Sequence, residues 1–167
     1  MENNKTILRF FDFDGCLFDT PLPDEGKEQW SNFYNKSYPH KGWWGRMESM
    51  DLVCFHIPPR KEVYKIYNDG KGENVIDFIL TSRLLRFEPI IKELLKLNDI
   101  DIKDEHILTK NKFEKGERIF QTALLFKDLN ITDIYFYDDR DKEINSANEW
   151  KESIEDLGIN FHIKKIY

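Results

Sequence analysis

The sequence Arg9-Phe10-Phe11-Asp12-Phe13-Asp14-Gly15-Cys16-Leu17-Phe18-Asp19-Thr20 joins an apolar run to two carboxylates and a glycine. The run begins at Ile7 and reads as a buried strand over 6–13, because a strand inside a parallel sheet must be covered on both faces. Asp12 and Asp14 stand at its C-terminal end. Residues alternate faces within a strand, but a chain leaving the sheet can turn both carboxylates toward one crevice. Open α/β sheets bind their ligands there, outside the carboxyl ends of the strands. Two acids so close repel each other and lose solvation, and a cation or a shared proton is the usual remedy. Taken alone, the pattern describes solvated turn acids better than a site. The rest of the chain decides between the two.

Outward from this stretch, residues 20–74 change in texture. Pro21-Leu22-Pro23 blocks regular structure, and Asp24 offers an N-cap for a short helix toward Tyr34. An aromatic and glycine-rich segment follows, with Gly42-Trp43-Trp44-Gly45-Arg46 at its centre, and Pro58-Pro59 precedes a helix over 60–68. No strand periodicity is present, so 20–74 is expected to be a cap or lid inserted after the first strand; it exceeds ordinary loop lengths.

Beyond it, strands and helices alternate. The pattern predicts strands over 75–80, 105–108, 131–137 and 160–165, the last at an edge. It predicts helices over 88–97, 112–129 and 142–157, the last stopped by Gly158. Alternation without a repeat argues for an α/β fold: one domain over 1–167, a parallel sheet with helices on both faces.

The bulk numbers agree. A chain of 167 residues can bury a proper core, and 40% hydrophobic with 34% charged residues fits a globular protein. No apolar run approaches the roughly 20 residues that cross a bilayer. The polar start, 1–6, lacks the core of a signal peptide, which makes the cytoplasm the expected location and a membrane an unexpected partner. Cys16 and Cys54 have no metal-ligand spacing, and packing is the expected role of Cys16. The net charge of −6 argues against a surface built to grip nucleic acid non-specifically, so contact with a polyanion would be local. No feature calls for an obligate protein partner.

Three predicted strands end in reactive groups: Asp12 and Asp14, then Thr81-Ser82-Arg83, then Asp138-Asp139-Arg140. Parallel strands bring these ends to one edge, so groups more than 120 residues apart share a crevice. Any one cluster could cap a helix or a turn; three in succession are hard to dismiss.

The pattern resembles the four motifs of the haloacid dehalogenase-like phosphohydrolases. The resemblance implies Asp12 as nucleophile, Asp14 as general acid/base, and Thr81 with a lysine as ligands of the transferring phosphoryl group. That lysine is expected to be Lys115, with Lys110 and Lys112 as rivals. It further implies Mg²⁺ held by Asp12, the backbone carbonyl of Asp14, and one or both of Asp138 and Asp139.

A narrower likeness runs over about residues 7–145. Leu17-Phe18-Asp19-Thr20-Pro21, Gly42-Trp43-Trp44-Gly45, Leu80-Thr81-Ser82-Arg83 and Tyr137-Asp138-Asp139-Arg140 resemble the corresponding domain of the Swiss Army Knife RNA-repair proteins. More distantly they resemble the phosphatase half of polynucleotide kinase/phosphatases. There are departures: Ser82 stands where glycine is usual, Asp138 where glutamate is frequent, and Glu143 near the place of an expected histidine. The resemblance implies a phosphorylated nucleotide or nucleic-acid end as substrate.

Trp43 and Trp44 could stack on a base or form the core of the cap. Arg46, Arg83, Arg86 and Arg140 are possible phosphate clamps, Arg83 foremost because it follows Thr81; Ser82 and Gly15 would line the same site. A phosphatase of small metabolites and a non-catalytic phosphate-binding module are the alternatives. Receiver domains also gather strand-end acids, but carry the acidic pair on the first strand and the phosphorylated Asp later, an order not found here.

Overall fold

The computed structural model describes residues 4–167; residues 1–3 of the polar N-terminal segment lie outside the described residues. Among the described residues, strands β1 (Thr6–Phe11), β2 (Val75–Leu80), β3 (Ile107–Leu108), β4 (Ile131–Asp138) and β5 (Asn160–Lys165) form one parallel sheet in the order β3-β2-β1-β4-β5. β1 is central, paired with β2 from Ile7↔Val75 to Phe11↔Ile79 and with β4 through Phe11↔Tyr137. These registers put Asp12, Thr81 and Asp138 at the same edge. The expectation of an α/β parallel sheet with helices on both faces is met.

Alternation along β1 divides the core. Leu8 and Phe10 face a layer made by α4 (Lys115–Leu125), α5 (Asp141–Glu149) and α6 (Lys151–Glu155), where Ile119, Ala123, Ala147 and Ile154 are buried. Phe11 and Phe13 face the other layer, made by α2 (Lys61–Asp69), α3 (Glu88–Leu97) and the insertion. Each such phenylalanine, wholly buried, contributes about 1.5–3 kcal/mol.

The insertion contains α1 (Pro23–Tyr34) and a short 3-10 turn, Met47–Met50. Its buried Trp30, Trp43, Met50 and Phe55 join Phe11, Phe13, Phe18 and Phe87 in one continuous cluster. This segment therefore shares the core of the sheet. Gly26 of α1 makes this possible: a Cβ there would sit 2.2 Å from the Trp43 ring.

Arg9, a charge inside the central strand, lies on this face and is buried. Its guanidinium donates to both carboxylate oxygens of Asp77, its neighbour across the β1–β2 pair, at 2.6 and 2.8 Å. It also donates to the carbonyls of Ile66 and Tyr67 in the last turn of α2 at 3.0 and 3.1 Å; that of Ile66 accepts the Gly70 N–H as well. A paired and fully hydrogen-bonded charge is the form in which burial is tolerated, and it fixes the end of the insertion to the sheet.

Several boundaries differ from the sequence reading. β1 stops at Phe11, because the chain then turns, with Leu17 N–H donating to the Asp12 carbonyl at 3.1 Å and Phe18 N–H to that of Phe13 at 3.0 Å. α1 begins at Pro23 with Leu22 at the N-cap; Asp24 is an acid of the first turn and not the cap. The helix expected over 112–129 is confined to Lys115–Leu125, since Phe126 turns back edge-on to Phe78, with ring centroids 5.6 Å apart. The helix expected over 142–157 is divided at Trp150, whose ring packs on Phe120 at 5.1 Å.

Candidate active site

Lys115 opens α4 directly behind the sheet edge, and its side chain is almost wholly buried. Nζ donates to Asp12 Oδ1 at 2.5 Å and to Asp138 Oδ2 at 2.7 Å. Lys110 and Lys112 make no such contact: Lys110 lines the open crevice, and the Lys112 ammonium lies 5.0 Å from the Phe113 ring centroid. Asp138 Oδ1 accepts the backbone N–H of Arg140 at 3.0 Å. Thr81, fully buried at the end of β2, accepts the Arg83 N–H at 3.0 Å through Oγ1, and its hydroxyl proton is what it can offer a ligand.

Oxygens of Asp12, Asp138 and Asp139 come within 4.8 Å of one another. Three carboxylates against one ammonium leave two negative charges uncompensated. Asp139 Oδ1 is buried and has no hydrogen-bond partner, a costly state unless something else satisfies it. A divalent cation fits both observations. Gly15 admits the Asp139 carboxylate: its φ is +68°, and a Cβ there would lie 2.6 Å from Asp139 Oδ2.

The electrostatics follow from this crowding. Burial, then the neighbouring Asp138 and Asp14, push the Asp12 carboxyl up to about 8 against the pull of Lys115. Burial disfavours the Lys115 charge, but Asp12 and Asp138 outweigh it and hold the ammonium above its ordinary range. Asp139 is raised by burial and by Asp138. The carboxylates of Asp12, Asp138 and Asp139 around one ammonium favour added positive charge.

A stability prediction follows. Without metal, folded Asp12 binds a proton more tightly than the unfolded chain does, with about 8 against the ordinary 3.8. This group's contribution therefore improves as pH falls from about 8 toward 4 and is unfavourable above 8. In EDTA, Asp12→Asn is expected to melt higher than wild type by a few degrees at about pH 8, on the order of 1 kcal/mol, with the gap closing toward pH 5. Lys115 keeps Asp138 in the variant, so no cation is stranded. A lower melting temperature for the variant at every pH would contradict the charge account.

The crevice in front of the acids has a volume of about 590 Å³ and is lined by Asp12, Asp14 and Gly15, by Ser82, Arg83 and Arg140, and by Leu22, Trp44 and Leu84. Its size is ordinary for a small-molecule site. Arg140 donates to Ser82 Oγ at 3.2 Å and to Glu143 Oε1 at 3.1 Å, so both crevice residues are held together. Trp44 is 42% exposed and lines the crevice, with its ring centroid 5.2 Å from Arg83 Cζ.

Four of the candidate residues are occupied elsewhere. Trp43 is cap core: it is 3% exposed, packs on Phe55 and Tyr38, and donates Nε1–H to the Pro21 carbonyl at 2.8 Å. Arg46 is exposed and does not line the crevice; its charge acts instead on Tyr38 and Glu48. Arg83 is not free to clamp a phosphate. Its side chain is buried, and Nε and Nη2 are engaged by both oxygens of Asp14 at 2.9 and 2.7 Å. Arg86 likewise is taken up by the Gly45 carbonyl.

Sequence reasoning missed Arg60 and Thr20, which also line the crevice. Arg60 donates to the carbonyl of Gly15 and to that of Tyr167. Its position after Pro58-Pro59 was the only signal, and it marked a helix start and no more.

No known protein-family description matches the sequence, and no curated protein matches it. The fold does have solved counterparts. A haloacid dehalogenase-like hydrolase from Streptococcus pneumoniae superposes with a TM-score of 0.51 at 11% identity, over 96% of this chain and 94% of that one. A predicted phosphoglycolate phosphatase from Haemophilus somnus gives 0.51 at 13% identity with the same coverage. Both likenesses are likenesses of fold. Among the described residues, no helix is long and apolar enough to cross a membrane.

Proposed function

We propose that this protein is a Mg²⁺-dependent phosphomonoesterase that works through a phospho-aspartate and removes a terminal phosphate from nucleotides or nucleic-acid ends. The observation that carries the reading is Lys115 Nζ between Asp12 and Asp138, with the unsatisfied oxygen of Asp139 beside them. A nucleophilic carboxylate needs a fixed aim and a nearby positive charge for the phosphoryl oxygens.

Asp12 attacks phosphorus as the bond to the leaving oxygen breaks, and Asp14 gives that oxygen its proton. Asp14 then takes a proton from water as the water oxygen attacks phosphorus and Asp12 departs. Lys115 Nζ and the Thr81 hydroxyl donate to the transferring oxygens. Asp12, Asp138 and Asp139, with the backbone carbonyl of Asp14, would hold the Mg²⁺. When bound, it neutralises charge on the phosphoryl oxygens.

Trp44, Leu22 and Leu84 support a leaving group with a ring. The motif likeness to nucleic-acid repair phosphatases points the same way. A small-metabolite substrate is the second reading, favoured by the likeness in fold to a protein named for phosphoglycolate. Phosphate release with Mg²⁺ from 3′- and 5′-phosphorylated oligonucleotides, mononucleotides, sugar phosphates and phosphoglycolate separates the two. Preference for the last two classes would overturn the nucleotide reading.

The two tryptophans give a sharper check. Trp44→Leu is expected to raise KM for a nucleotide substrate by roughly 5- to 150-fold, the equivalent of about 1–3 kcal/mol of stacking, with little effect on melting temperature. Trp43→Leu is expected to cost on the order of 3 kcal/mol of stability and to spare KM in the folded fraction. Equal KM for Trp44→Leu and wild type would remove the stacking argument.

A further inference from the structure

Arg83 is the residue whose surroundings fit its expected task least. Four of its five guanidinium N–H groups are engaged by protein oxygens, although the residue lines the crevice. One edge meets Asp14 in a bidentate pair, with Nε to Oδ2 at 2.9 Å and Nη2 to Oδ1 at 2.7 Å. From Nη1 it donates to the Trp44 carbonyl at 2.7 Å and to Ser49 Oγ at 2.5 Å. The rings of Trp44 and Phe87 flank it, with centroids 5.2 and 4.8 Å from Cζ. Ser49, itself fully buried, donates to the Arg46 carbonyl at 2.7 Å and so belongs to the cap segment. The Arg83 N–H in turn binds Thr81 Oγ1.

We infer that Arg83 is a positioning residue for Asp14, not a ligand of the substrate phosphate, and that it ties the orientation of this acid to the cap segment 44–49. A planar guanidinium in a bidentate pair fixes a carboxylate in both direction and plane, which an ammonium cannot do. A carboxyl that must reach a leaving oxygen depends on such support, because proton transfer requires hydrogen-bond geometry with the reacting atom. Ser49 Oγ and the Trp44 carbonyl, both accepting from Nη1, hold the far end, so the loop that carries the exposed ring also sets the acid. The inference rests on the phosphatase reading given above.

The experiment compares single-turnover release of p-nitrophenol from p-nitrophenyl phosphate with release of phenol from phenyl phosphate, in the presence of Mg²⁺. The two esters share a ring, but p-nitrophenolate departs without a proton while phenolate needs one. Asp14→Asn serves as the reference for loss of the acid. Arg83→Lys is expected to lower the phenyl phosphate rate constant at least about tenfold more than that for p-nitrophenyl phosphate, with KM for both within about threefold of wild type. Ser49→Ala, which touches Arg83 from outside the crevice, is expected to shift the ratio in the same direction by a smaller factor; it carries the test if Arg83→Lys does not fold. Equal losses on both esters with a raised KM would make Arg83 a phosphate ligand and overturn the inference. An unchanged ratio in both variants would overturn it as well. Failure of the reading beneath it looks different: wild type would release neither phenol, or would do so no faster than Asp12→Asn.

Discussion

Asp12→Asn is expected to reduce turnover by about 10⁴-fold or more, in line with removal of other enzymic nucleophiles, while the protein stays folded. The amide is close in size to the carboxylate, and Lys115 retains Asp138 at 2.7 Å, so the packing at the sheet edge survives. What would disappear, in the proposed mechanism, is the atom that attacks phosphorus. The loss should be in kcat, because the substrate's contacts with the crevice lie mainly elsewhere. Steady-state phosphate release, with circular dichroism as a check on folding, measures it. Activity within tenfold of wild type would mean that some other group, or water, attacks directly.

Removing divalent cation is the second large effect. With three carboxylates facing one ammonium, an incoming phosphate dianion meets net negative charge at Asp12, Asp138 and Asp139. Charge stabilisation by a bound cation is worth several kcal/mol, so EDTA is expected to lower kcat/KM on the order of 10³-fold, and Mg²⁺ to restore it. Mg²⁺ should also raise the melting temperature of wild type, since it binds the folded state alone. Undiminished turnover in EDTA would leave the unsatisfied oxygen of Asp139 without an explanation.

The strands and their order of chemistry were readable in the sequence because inner parallel strands leave largely apolar runs and the edge strand β5 alternates, with Phe161 and Ile163 its apolar residues. Val75 to Leu80 and Asn160 to Lys165 fall where the pattern puts them. Lys115 could be preferred over Lys110 and Lys112 on motif spacing alone; in the structure its Nζ lies 2.5 Å from Asp12 Oδ1. What was not legible depended on tertiary partners. Nothing local distinguishes Trp43 from Trp44: one meets Gly26, Tyr38 and Phe55, the other the crevice. Arg83 read as a phosphate clamp because its neighbour is Thr81; the partner that claims it, Asp14, lies 69 residues away. Arg9 inside an apolar run gave no sign of the Asp77 and α2 carbonyls that satisfy it. Helix ends failed where an aromatic side chain, Phe126 or Trp150, gained more by packing than the backbone did by continuing the helix.

The central claim is that a phosphoryl group passes through Asp12. The direct test is borohydride trapping during turnover, which reduces an aspartyl phosphate to homoserine, followed by peptide mapping of the chain. The account predicts homoserine at position 12 in wild type and more of it in Asp14→Asn, where water is no longer activated to release the phosphoryl group. It predicts none when substrate is omitted. Turnover with an unmodified Asp12 under trapping conditions, or homoserine at Asp14, Asp138 or Asp139 instead, would contradict it.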